Sequence, residues 1–211
     1  MKSGFGDRLN VVLAECGLPA LNGSDSARFE AYFELLKRWN QRMNLTAVRD
    51  EDAILRRHFA ESIACAHAIP AGVSTLLDFG SGAGFPGIPI AICRPEIAVT
   101  LAESKTKKAA FLREAVRVVG LPASVHGGRA EDLAKNFECV ALRAVDRMQE
   151  AVVASGQLVR PGGWMLLLTT GVELAALQAA AGAEFSWSRP APLPYGENRI
   201  VAFGKRVSLP A

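Results

Sequence analysis

Cysteine is scarce in this sequence, and its few cysteines are not spaced for metal or redox chemistry. The 211 residues include four cysteines, which lie far apart in apolar surroundings and form no CxxC pair. They are Cys16, Cys65, Cys93 and Cys139. Zinc and thiol-redox sites are therefore not favoured, and we predict reduced core thiols and no metal.

The sequence also lacks long apolar runs. No stretch approaches the roughly 18 apolar residues of a membrane-spanning helix, and no N-terminal run resembles a signal peptide. Internal repeats and low-complexity tracts are absent as well. Half of the residues are hydrophobic, which is sufficient for a full core and excludes a disordered chain. We predict a soluble cytoplasmic protein that has no membrane partner.

The net charge is small, but its distribution along the chain is uneven. The formal charge of +3 does not identify a nucleic-acid partner. Basic side chains nevertheless cluster in residues 37–57 and 105–117, where they outnumber the acidic ones. Such clusters form an electrostatic footprint for RNA, or they are solvated helix faces, and charge alone leaves both interpretations open.

Helical periodicity dominates the first 70 residues. Apolar side chains recur three and four positions apart in three segments, as on the buried stripe of a helix. Asn22 and Asp50 are typical residues for starting the second and third helices, and Gly17, Pro19 and Pro70 are typical of helix ends. The sequence therefore predicts an N-terminal helical cap in residues 1–70.

The pattern changes at Val73, where short β-rich runs begin to alternate with helical runs. The predicted strands are Val73–Phe79, Ala98–Ala102, Ala123–His126, Cys139–Leu142, Trp164–Thr169, Ala183–Trp187 and Ile200–Phe203. Helical runs follow the first five, which predicts parallel strands with helices on both faces, and a proline-rich loop joins the last two as an antiparallel hairpin. We predict a Rossmann-like α/β domain with a seven-stranded, mostly parallel sheet in residues 71–206 and a tail in residues 207–211.

The most informative segment reads LLDFGSGAGFPGIPI, from Leu76 to Ile90. The first predicted strand reaches a carboxylate there, Asp78, and a turn with four glycines follows. Glycines permit a tight turn and let a ligand approach the backbone closely. A carboxylate beside the turn disfavours a polyphosphate. S-adenosylmethionine, which carries a sulfonium and an ammonium group, is the first candidate.

Further acidic residues fall at the ends of neighbouring predicted strands, which is where open α/β sheets bind ligands. Glu103 ends the second strand, where a carboxylate can accept both hydroxyl groups of an adenosine ribose. Ala130 and Glu131 follow the third strand, where either could contact the adenine amino group. Helix capping is the alternative role for each acid.

A dinucleotide site is the rival interpretation. The segment Gly82–Gly87 has the GxGxxG pattern, and Glu103 follows at a distance that suits a nicotinamide dinucleotide. Two features count against NAD. Asp78 would face the pyrophosphate with a like charge, and Pro86 and Pro89 remove amide donors from the turn.

The end of the fourth predicted strand restricts the methyl acceptor. The Asn/Asp-Pro-Pro-aromatic tetrapeptide of many amine methylases is absent, and Cys139 lies at the wrong end of the strand for a nucleophile. An acceptor with its own lone pair, such as guanine N7, needs neither a base nor a nucleophile. Arg143 is the candidate residue there, with a structural ion pair to Asp146 or Glu150 as the alternative.

Five segments together resemble the 16S rRNA guanine-N7 methyltransferase G family, also called the glucose-inhibited division protein B family. They are Trp39–Asp50, Arg57–Ser62, Asp78–Pro89, Glu103–Lys108 and Arg143–Val145. The resemblance covers most of the chain. It implies S-adenosylmethionine-dependent methylation of N7 of a guanosine in the 530 loop of 16S rRNA. It implies 16S rRNA or the small ribosomal subunit as the partner, and we expect a monomer.

The resemblance also implies roles for individual residues. The donor site would comprise Asp78, Gly80, Gly82, Phe85, Glu103, Ser104, Lys105, Ala130, Glu131 and Arg143. The catalytic candidates are Arg143, His58 and Lys105, and the RNA-binding candidates are Asn44, Arg57, Lys107, Lys108 and Arg199. A nicotinamide oxidoreductase and a non-catalytic ribosome-assembly RNA-binding protein are the alternative functions.

Two positions depart from the family pattern. Thr170 stands where the family commonly has a lysine, and Asn198 stands in a segment that commonly reads Glu-Arg-His. Neither belongs to the predicted donor site. Trp39 and Trp187 are candidates for stacking on a flipped base, although Trp39 lies on the predicted buried stripe of its helix.

Overall fold

The computed structural model describes residues 4–196 and 198–207, and the chain begins with a set of helices. They are α1 (Phe5–Glu15), α2 (Gly23–Met43), α3 (Glu51–Ile54), a π-helical segment (Leu55–Ala60) and α4 (Glu61–Ala68). The Asn22 side chain accepts a hydrogen bond from the Asp25 amide, and the Asp50 side chain accepts one from the Ala53 amide. These caps satisfy amides that a helix leaves free at its start, which explains why α2 and α3 begin there.

The rest of the described chain forms an α/β unit. Its elements are β1 (Thr75–Phe79), α5 (Gly87–Cys93), β2 (Ala98–Ala102), α6 (Thr106–Val119), β3 (Ser124–His126), β4 (Phe137–Arg143), α7 (Met148–Gly156), β5 (Val159–Thr170), α8 (Gly171–Ala181), β6 (Phe185–Trp187), β7 (Ala191–Pro192) and β8 (Arg199–Arg206). The strand order is β3-β2-β1-β4-β5-β8-β6, with β7 paired to β8. Strands β1 to β5 are parallel, and β8 is antiparallel to its neighbours, as the sequence predicts.

Three details of the prediction are wrong. In residues 4–196 and 198–207 the sheet has eight strands rather than seven, because the proline-rich loop contains the two-residue strand β7. A single 3₁₀ turn, Ala130–Asp132, follows β3 in place of a helix, since the connection to β4 is short and begins with two glycines. Strand β5 already begins at Val159, because a bulge opposite Phe137–Cys139 accommodates its proline and glycines.

The two faces of the sheet bury separate hydrophobic clusters. Leu76 belongs to the cluster that contains the N-terminal helices, α5 and α6, whereas Leu77 belongs to the cluster beneath α7 and α8. Alternating side chains of a strand point to opposite faces, so this division follows from the strand period of two. The N-terminal helices thus share a core with the sheet. The domain boundary at residue 70 stays a prediction, and the predicted tail beyond residue 207 lies outside the described residues.

The strand order creates the crevice in which the site lies. The order changes direction between β1 and β4, and ligands of open α/β sheets bind at such switch points beyond the carboxyl ends of the strands. The N-terminal helices close one side of this crevice. The hydroxyl group of Tyr32 in α2 donates a 2.5 Å hydrogen bond to the carbonyl of Ala83 in the loop after β1. The ring of Phe85 packs against Tyr32 and Phe59.

Candidate functional site

The loop after β1 has a backbone conformation that requires glycine at two positions facing the crevice. Gly80 has φ +70° and Gly82 has φ +56°, a region that residues with side chains rarely adopt. A Cβ atom on Gly80 would also lie 3.2 Å from Cγ2 of Val145, which follows β4. The glycines therefore bring the backbones after β1 and β4 close together at the switch point.

Asp78 lies beneath this loop and not in the wall of the crevice. Its Oδ2 accepts a 3.1 Å hydrogen bond from the Gly87 amide, and the residue is 1% exposed. Burial raises the pKa of Asp78 to about 7, although the bonds from Ser81 and Gly87 favour the charged form. The sequence predicts that Asp78 binds the ligand, whereas the structure places its carboxyl where it holds the glycine loop against the start of α5.

Gly87 allows this close packing of α5 on the sheet, and we expect Gly87→Ala to destabilise the protein. The new Cβ atom would lie 2.4 Å from Cδ2 of Leu101 and 2.5 Å from Oδ2 of Asp78. Overpacking of this kind costs about 1–3 kcal/mol, and each kcal/mol lowers the melting temperature by roughly 2–4 °C at this chain length. Calorimetry is the measurement, with Gly171→Ala as the control, because nothing lies within 4 Å of its Cβ position. Equal melting temperatures for the two variants would contradict this account.

The raised pKa of Asp78 leads to a second prediction, which concerns how the free energy of unfolding depends on pH. Between about pH 4 and pH 7 the folded state keeps the Asp78 proton while the unfolded state releases it, so unfolding is favoured as the pH rises. Asp78→Asn keeps an oxygen for the Gly87 amide and cannot ionise. We expect this variant to match the parent near pH 4 and to exceed its stability by up to about 4 kcal/mol at pH 8. Urea unfolding at several pH values checks this, and a stability difference that does not change with pH would contradict it.

Glu103 lies at the end of β2 with both carboxylate oxygens fixed by backbone amides. Oε2 accepts a 3.0 Å hydrogen bond from the Gly82 amide, and Oε1 accepts a 2.8 Å bond from the Lys105 amide. A carboxylate has about four acceptor positions, so two remain for a ligand in the crevice. Glu103 also lines the crevice, as the sequence predicts for a strand end.

The crevice is a cavity of about 710 Å³, a size that suits a cofactor or a small substrate. The predicted site residues that line it are His58, Gly80, Gly82, Phe85, Glu103, Ser104, Lys105, Lys108, Ala130, Glu131 and Arg143. They come from the N-terminal helices and from the ends of β1 to β4. Chain segments that are distant in the sequence thus converge on one site.

Two of these residues lie at the mouth of the cavity. The Lys105 ammonium group pairs with Asp146 at 3.3 Å, and its side chain is 61% exposed. Glu131 pairs with Arg129 at 2.6 Å, and its pKa is lowered because a backbone hydrogen bond and the Arg129 contact together outweigh its partial burial. These exposed pairs add little stability. The resemblance makes Lys105 a catalytic candidate, whereas the structure places its ammonium group beside Asp146 at the rim.

His58 forms part of the cavity wall, and its ring is neutral. Its Nε2 lies 2.7 Å from Oγ1 of Thr46, and its Nδ1 lies 3.3 Å from the Arg143 guanidinium, which can only donate. Burial and the charge of Arg143 lower the pKa of His58 to about 3. The ring also stacks on Phe85 at 4.9 Å between centroids. A histidine with both nitrogens engaged cannot serve as a general base without breaking these contacts.

A buried ionic cluster lies behind His58. Glu61 is fully buried, and its Oε2 lies 2.9 Å from a guanidinium nitrogen of Arg143 and 2.7 Å from one of Arg199. Burial raises the pKa of Glu61, and the two arginines oppose this rise. Arg143 also donates to Ser62 Oγ and to the Arg57 carbonyl. Neither Asp146 nor Glu150 is the partner of Arg143, so that alternative is wrong.

Several other predicted residues lie away from the cavity wall. Asn44 ends α2 in a left-handed conformation and accepts a hydrogen bond from Arg49. Arg57 and Lys107 are exposed. Arg199 is committed to Glu61, so its predicted RNA contact would compete with a buried ion pair.

Trp39 is a packing residue in this structure. Its Nε1 donates to Glu114, and its ring contacts Phe111 edge to face. Trp187 lies on the outer strand β6, where its ring packs against Gly204. Neither indole lines the cavity among the described residues, so we do not assign them to a flipped base.

Sequence reasoning gives no role to four residues that shape this site. They are Tyr32, Thr46, Glu61 and Val145. Thr46, Glu61 and Val145 lie inside segments that carry the family resemblance, which is an available signal. In the described ranges, 4–196 and 198–207, no group of three or more His, Cys, Asp or Glu residues is arranged to hold a metal ion. No helix in those ranges combines the length and apolar character needed to cross a bilayer.

Comparisons with known proteins show the family and the fold of this chain. Proteins named "Ribosomal RNA small subunit methyltransferase G" are similar over most of the chain. The one from Xanthomonas axonopodis pv. citri (strain 306) is 44% identical over 202 residues, which are 90% of this chain and 93% of that protein. One from Neisseria meningitidis serogroup C is 40% identical over 160 residues, which are 75% of this chain and 76% of that protein.

Solved structures share the fold. An O-methyltransferase from Bacillus cereus in complex with SAH has a TM-score of 0.63 at 14% identity, covering 94% of this chain and 97% of that chain. A ribosomal protein L11 methylase from Lactobacillus delbrueckii subsp. bulgaricus has a TM-score of 0.59 at 11% identity, covering 76% of this chain and 81% of that chain. Residues 25–187 match the family described as rRNA small subunit methyltransferase G. The chain therefore belongs to the rRNA small subunit methyltransferase G family.

Proposed function

We propose that this protein transfers the methyl group of S-adenosylmethionine to N7 of a guanosine in the 530 loop of 16S rRNA. Family membership supports methylation of small-subunit rRNA. The observation that carries the donor assignment is the Glu103 carboxylate, which two backbone amides hold at the edge of a cavity at the switch point. S-adenosylmethionine supplies a methyl group on a positively charged sulfur.

The residues present fit this donor. The free acceptor positions of Glu103 suit the two hydroxyl groups of a ribose, which are adjacent donors. Gly80 and Gly82 leave their backbone open to the ligand, and a side chain at either position would adopt a strained conformation. Ala130 and Glu131 line the cavity beyond Glu103, where the adenine would lie. This arrangement supports a nucleoside across the glycine loop.

The neutral state of His58 supports an acceptor that needs no base. N7 of guanine carries a lone pair, so transfer forms the bond from N7 to the methyl carbon and breaks the bond from that carbon to sulfur. No proton moves, and the positive charge passes to the guanine. The pKa of His58 is lowered to about 3, so the imidazole is not needed as a base. The residues of the cavity instead position the donor and the guanine and stabilise the charge of the transition state.

We assign to Arg143 the binding of an anionic or carbonyl oxygen in the cavity, from the methionine end of the donor or from the target base. Its guanidinium is fixed by Glu61 and Ser62, and it lines the cavity beside His58. Burial lowers the pKa of Arg143 to about 10, so it stays charged at neutral pH. Asn44, Arg57, Lys107 and Lys108 are proposed to contact RNA.

The remaining expectations are part of the same proposal. We propose that the protein acts in the cytoplasm as a monomer without a metal ion. The nicotinamide oxidoreductase is set aside, because the chain belongs to a methyltransferase family and Pro86, at the N-cap of α5, has no amide hydrogen to offer a pyrophosphate. A non-catalytic RNA-binding role is set aside, because the predicted donor residues other than Asp78 line one cavity.

Label transfer tests the proposed function. We expect methyl-labelled S-adenosylmethionine to label 16S rRNA or the small subunit at one guanosine, which reverse transcription after chemical cleavage at 7-methylguanosine locates. Arg143→Ala should abolish the transfer. Arg160→Ala is the control, since Arg160 is half exposed in a surface pair with Glu138. Absence of label in every RNA and subunit, or label at another atom of the base, would contradict the proposal.

A further inference from the structure

Basic side chains that have no carboxylate partner are concentrated on α2 and α6. Arg38, Arg42, Lys107, Arg113 and Arg117 are exposed, and within the described part of the chain none of them forms an ion pair. Most other Lys and Arg side chains in that part are paired. We call these five residues the α2–α6 basic face.

Contacts between the two helices bring Arg42, Lys107 and Arg117 close together, and Arg38 and Arg113 each lie one helical turn from one of them. Trp39 of α2 contacts Phe111 of α6 and donates to Glu114 of α6. Residues three or four positions apart lie on the same side of a helix. Arg42 is therefore next to Trp39, and Lys107 and Arg117 flank Phe111 and Glu114.

The charge of this surface is not balanced from within α6. Glu114 is the one acidic residue of α6, and it is half-buried and bonded to the Trp39 indole. On the opposite helix, Asp25 pairs with Arg28 and Glu34 pairs with Lys37, whereas the exposed Glu30 lies two turns before Arg38 and forms no ion pair among the described residues. The α2–α6 basic face thus carries positive charge that a binding partner can neutralise.

The face leads into the donor cavity. Lys105 and Lys108 at the start of α6 line the cavity, as do Leu45 and Thr46 just after α2. Farther along α6, the Arg113 guanidinium lies over Gly127 in the segment after β3. A Cβ atom on Gly127 would be 2.3 Å from Arg113 Nη2. From Lys107 to Arg117 the helix rises about 15 Å, enough to span several consecutive phosphates.

We propose that the α2–α6 basic face is the docking surface for the RNA backbone that flanks the methylated nucleotide. This inference rests on the proposed function, because it names the surface that delivers RNA to the cavity. Unpaired arginines and lysines on neighbouring helices match the regular negative charge of phosphates, and releasing counterions from the RNA drives binding. The contacts position the RNA and leave the choice of base to the cavity.

Salt-dependent binding tests the surface. The probe is an RNA hairpin that carries the 530 loop, and fluorescence anisotropy measures its affinity across a series of KCl concentrations. Each phosphate contact contributes about 0.7–0.9 to the slope of log affinity against log salt. We expect Arg113→Gln/Arg117→Gln and Arg38→Gln/Arg42→Gln each to lower that slope by about 1.5 and the affinity at least tenfold at low salt. S-adenosylmethionine affinity and melting temperature should not change.

The matched control is Arg189→Gln/Lys205→Gln. Both residues are exposed and have no ion pair in the described ranges, but they lie beside β6 and in β8, at the far edge of the sheet. This double variant should bind the hairpin like the parent. The proposed docking surface would be contradicted if all three double variants had equal slopes of log affinity against log salt. It would also be contradicted if the parent did not bind the RNA hairpin.

The outcome separates this inference from the proposed function. Loss of hairpin binding in the α2 and α6 variants, without methyl transfer by the parent, would support the surface and contradict the activity. Methyl transfer by the parent with normal hairpin binding in those variants would support the activity and overturn the surface.

Discussion

Glu103→Ala is expected to weaken S-adenosylmethionine binding by roughly 100-fold or more. In the proposed complex the two ribose hydroxyl groups would lose the carboxylate that accepts their hydrogen bonds, and hydrogen bonds to a charged group are worth about 1.5–3 kcal/mol each. Its loss also frees the amides of Gly82 and Lys105, which it holds in the parent. Isothermal titration calorimetry measures the dissociation constant directly.

The control for this prediction is Asp132→Ala, which removes an exposed carboxylate close to the same site. Asp132 does not line the cavity, so we expect Asp132→Ala to bind S-adenosylmethionine with an affinity within about twofold of the parent. The same titration with NAD should give no heat for either variant or for the parent. If Glu103→Ala binds the donor as tightly as Asp132→Ala does, the nucleoside does not lie at the end of β2.

Local sequence patterns are sufficient to predict most of the fold. Strand β2 has the predicted bounds, Ala98–Ala102, because its residues are mostly apolar with one β-branched Thr and the run ends at Glu103. The glycine loop is predictable because a series of glycines directly after a strand is typical of a turn that approaches a ligand closely. The turn after β3 is not predictable in this way. When few apolar residues are present, a helical pattern cannot be distinguished from a short polar connection.

The orientation of Asp78 shows what a local pattern leaves open. Asp78 lies at a strand end just before a series of glycines, and this position predicts that its carboxylate contacts the ligand. Side chains alternate along a strand, however, and Asp78 shares a face with Leu76, beneath α5. Its buried neighbours follow from that face, and the loop backbone bends over it. Strand ends alone therefore do not separate a ligand-binding carboxylate from one that supports the loop, whereas the face of the strand does.

Long-range ion pairs are beyond sequence reasoning for a different reason. Glu61, Arg143 and Arg199 lie on α4, β4 and β8, and no spacing in the sequence links them. Proximity in the sequence favours pairing of Arg143 within its own loop, with Asp146 or Glu150. Asp146 instead pairs with Lys105, and Glu150 pairs with Arg147. Only the tertiary fold brings the N-terminal helices to the carboxyl end of β4.

Glu61→Gln is expected to destabilise the protein by about 3–5 kcal/mol. Glutamine has the same shape and keeps an acceptor oxygen, but it removes the charge that neutralises Arg143 and Arg199. Glu61 is fully buried and Arg143 is 7% exposed, so the two guanidinium groups would repel each other with little screening by water. Removing one partner from a buried ionic cluster leaves an uncompensated charge at this cost. Urea unfolding at neutral pH measures the change.

Two further variants separate the charge from the packing. Arg199→Gln leaves Glu61 with one arginine, and its side chain is 22% exposed, so we expect a smaller loss than for Glu61→Gln. Glu150→Gln breaks the pair with Arg147, in which both side chains are more than half exposed, and should cost less than about 1 kcal/mol. The order of the losses is decisive, because a polar packing role would make Glu61→Gln nearly harmless. If Arg199→Gln costs more than Glu61→Gln, the carboxylate is not what holds the two arginines together beneath the cavity.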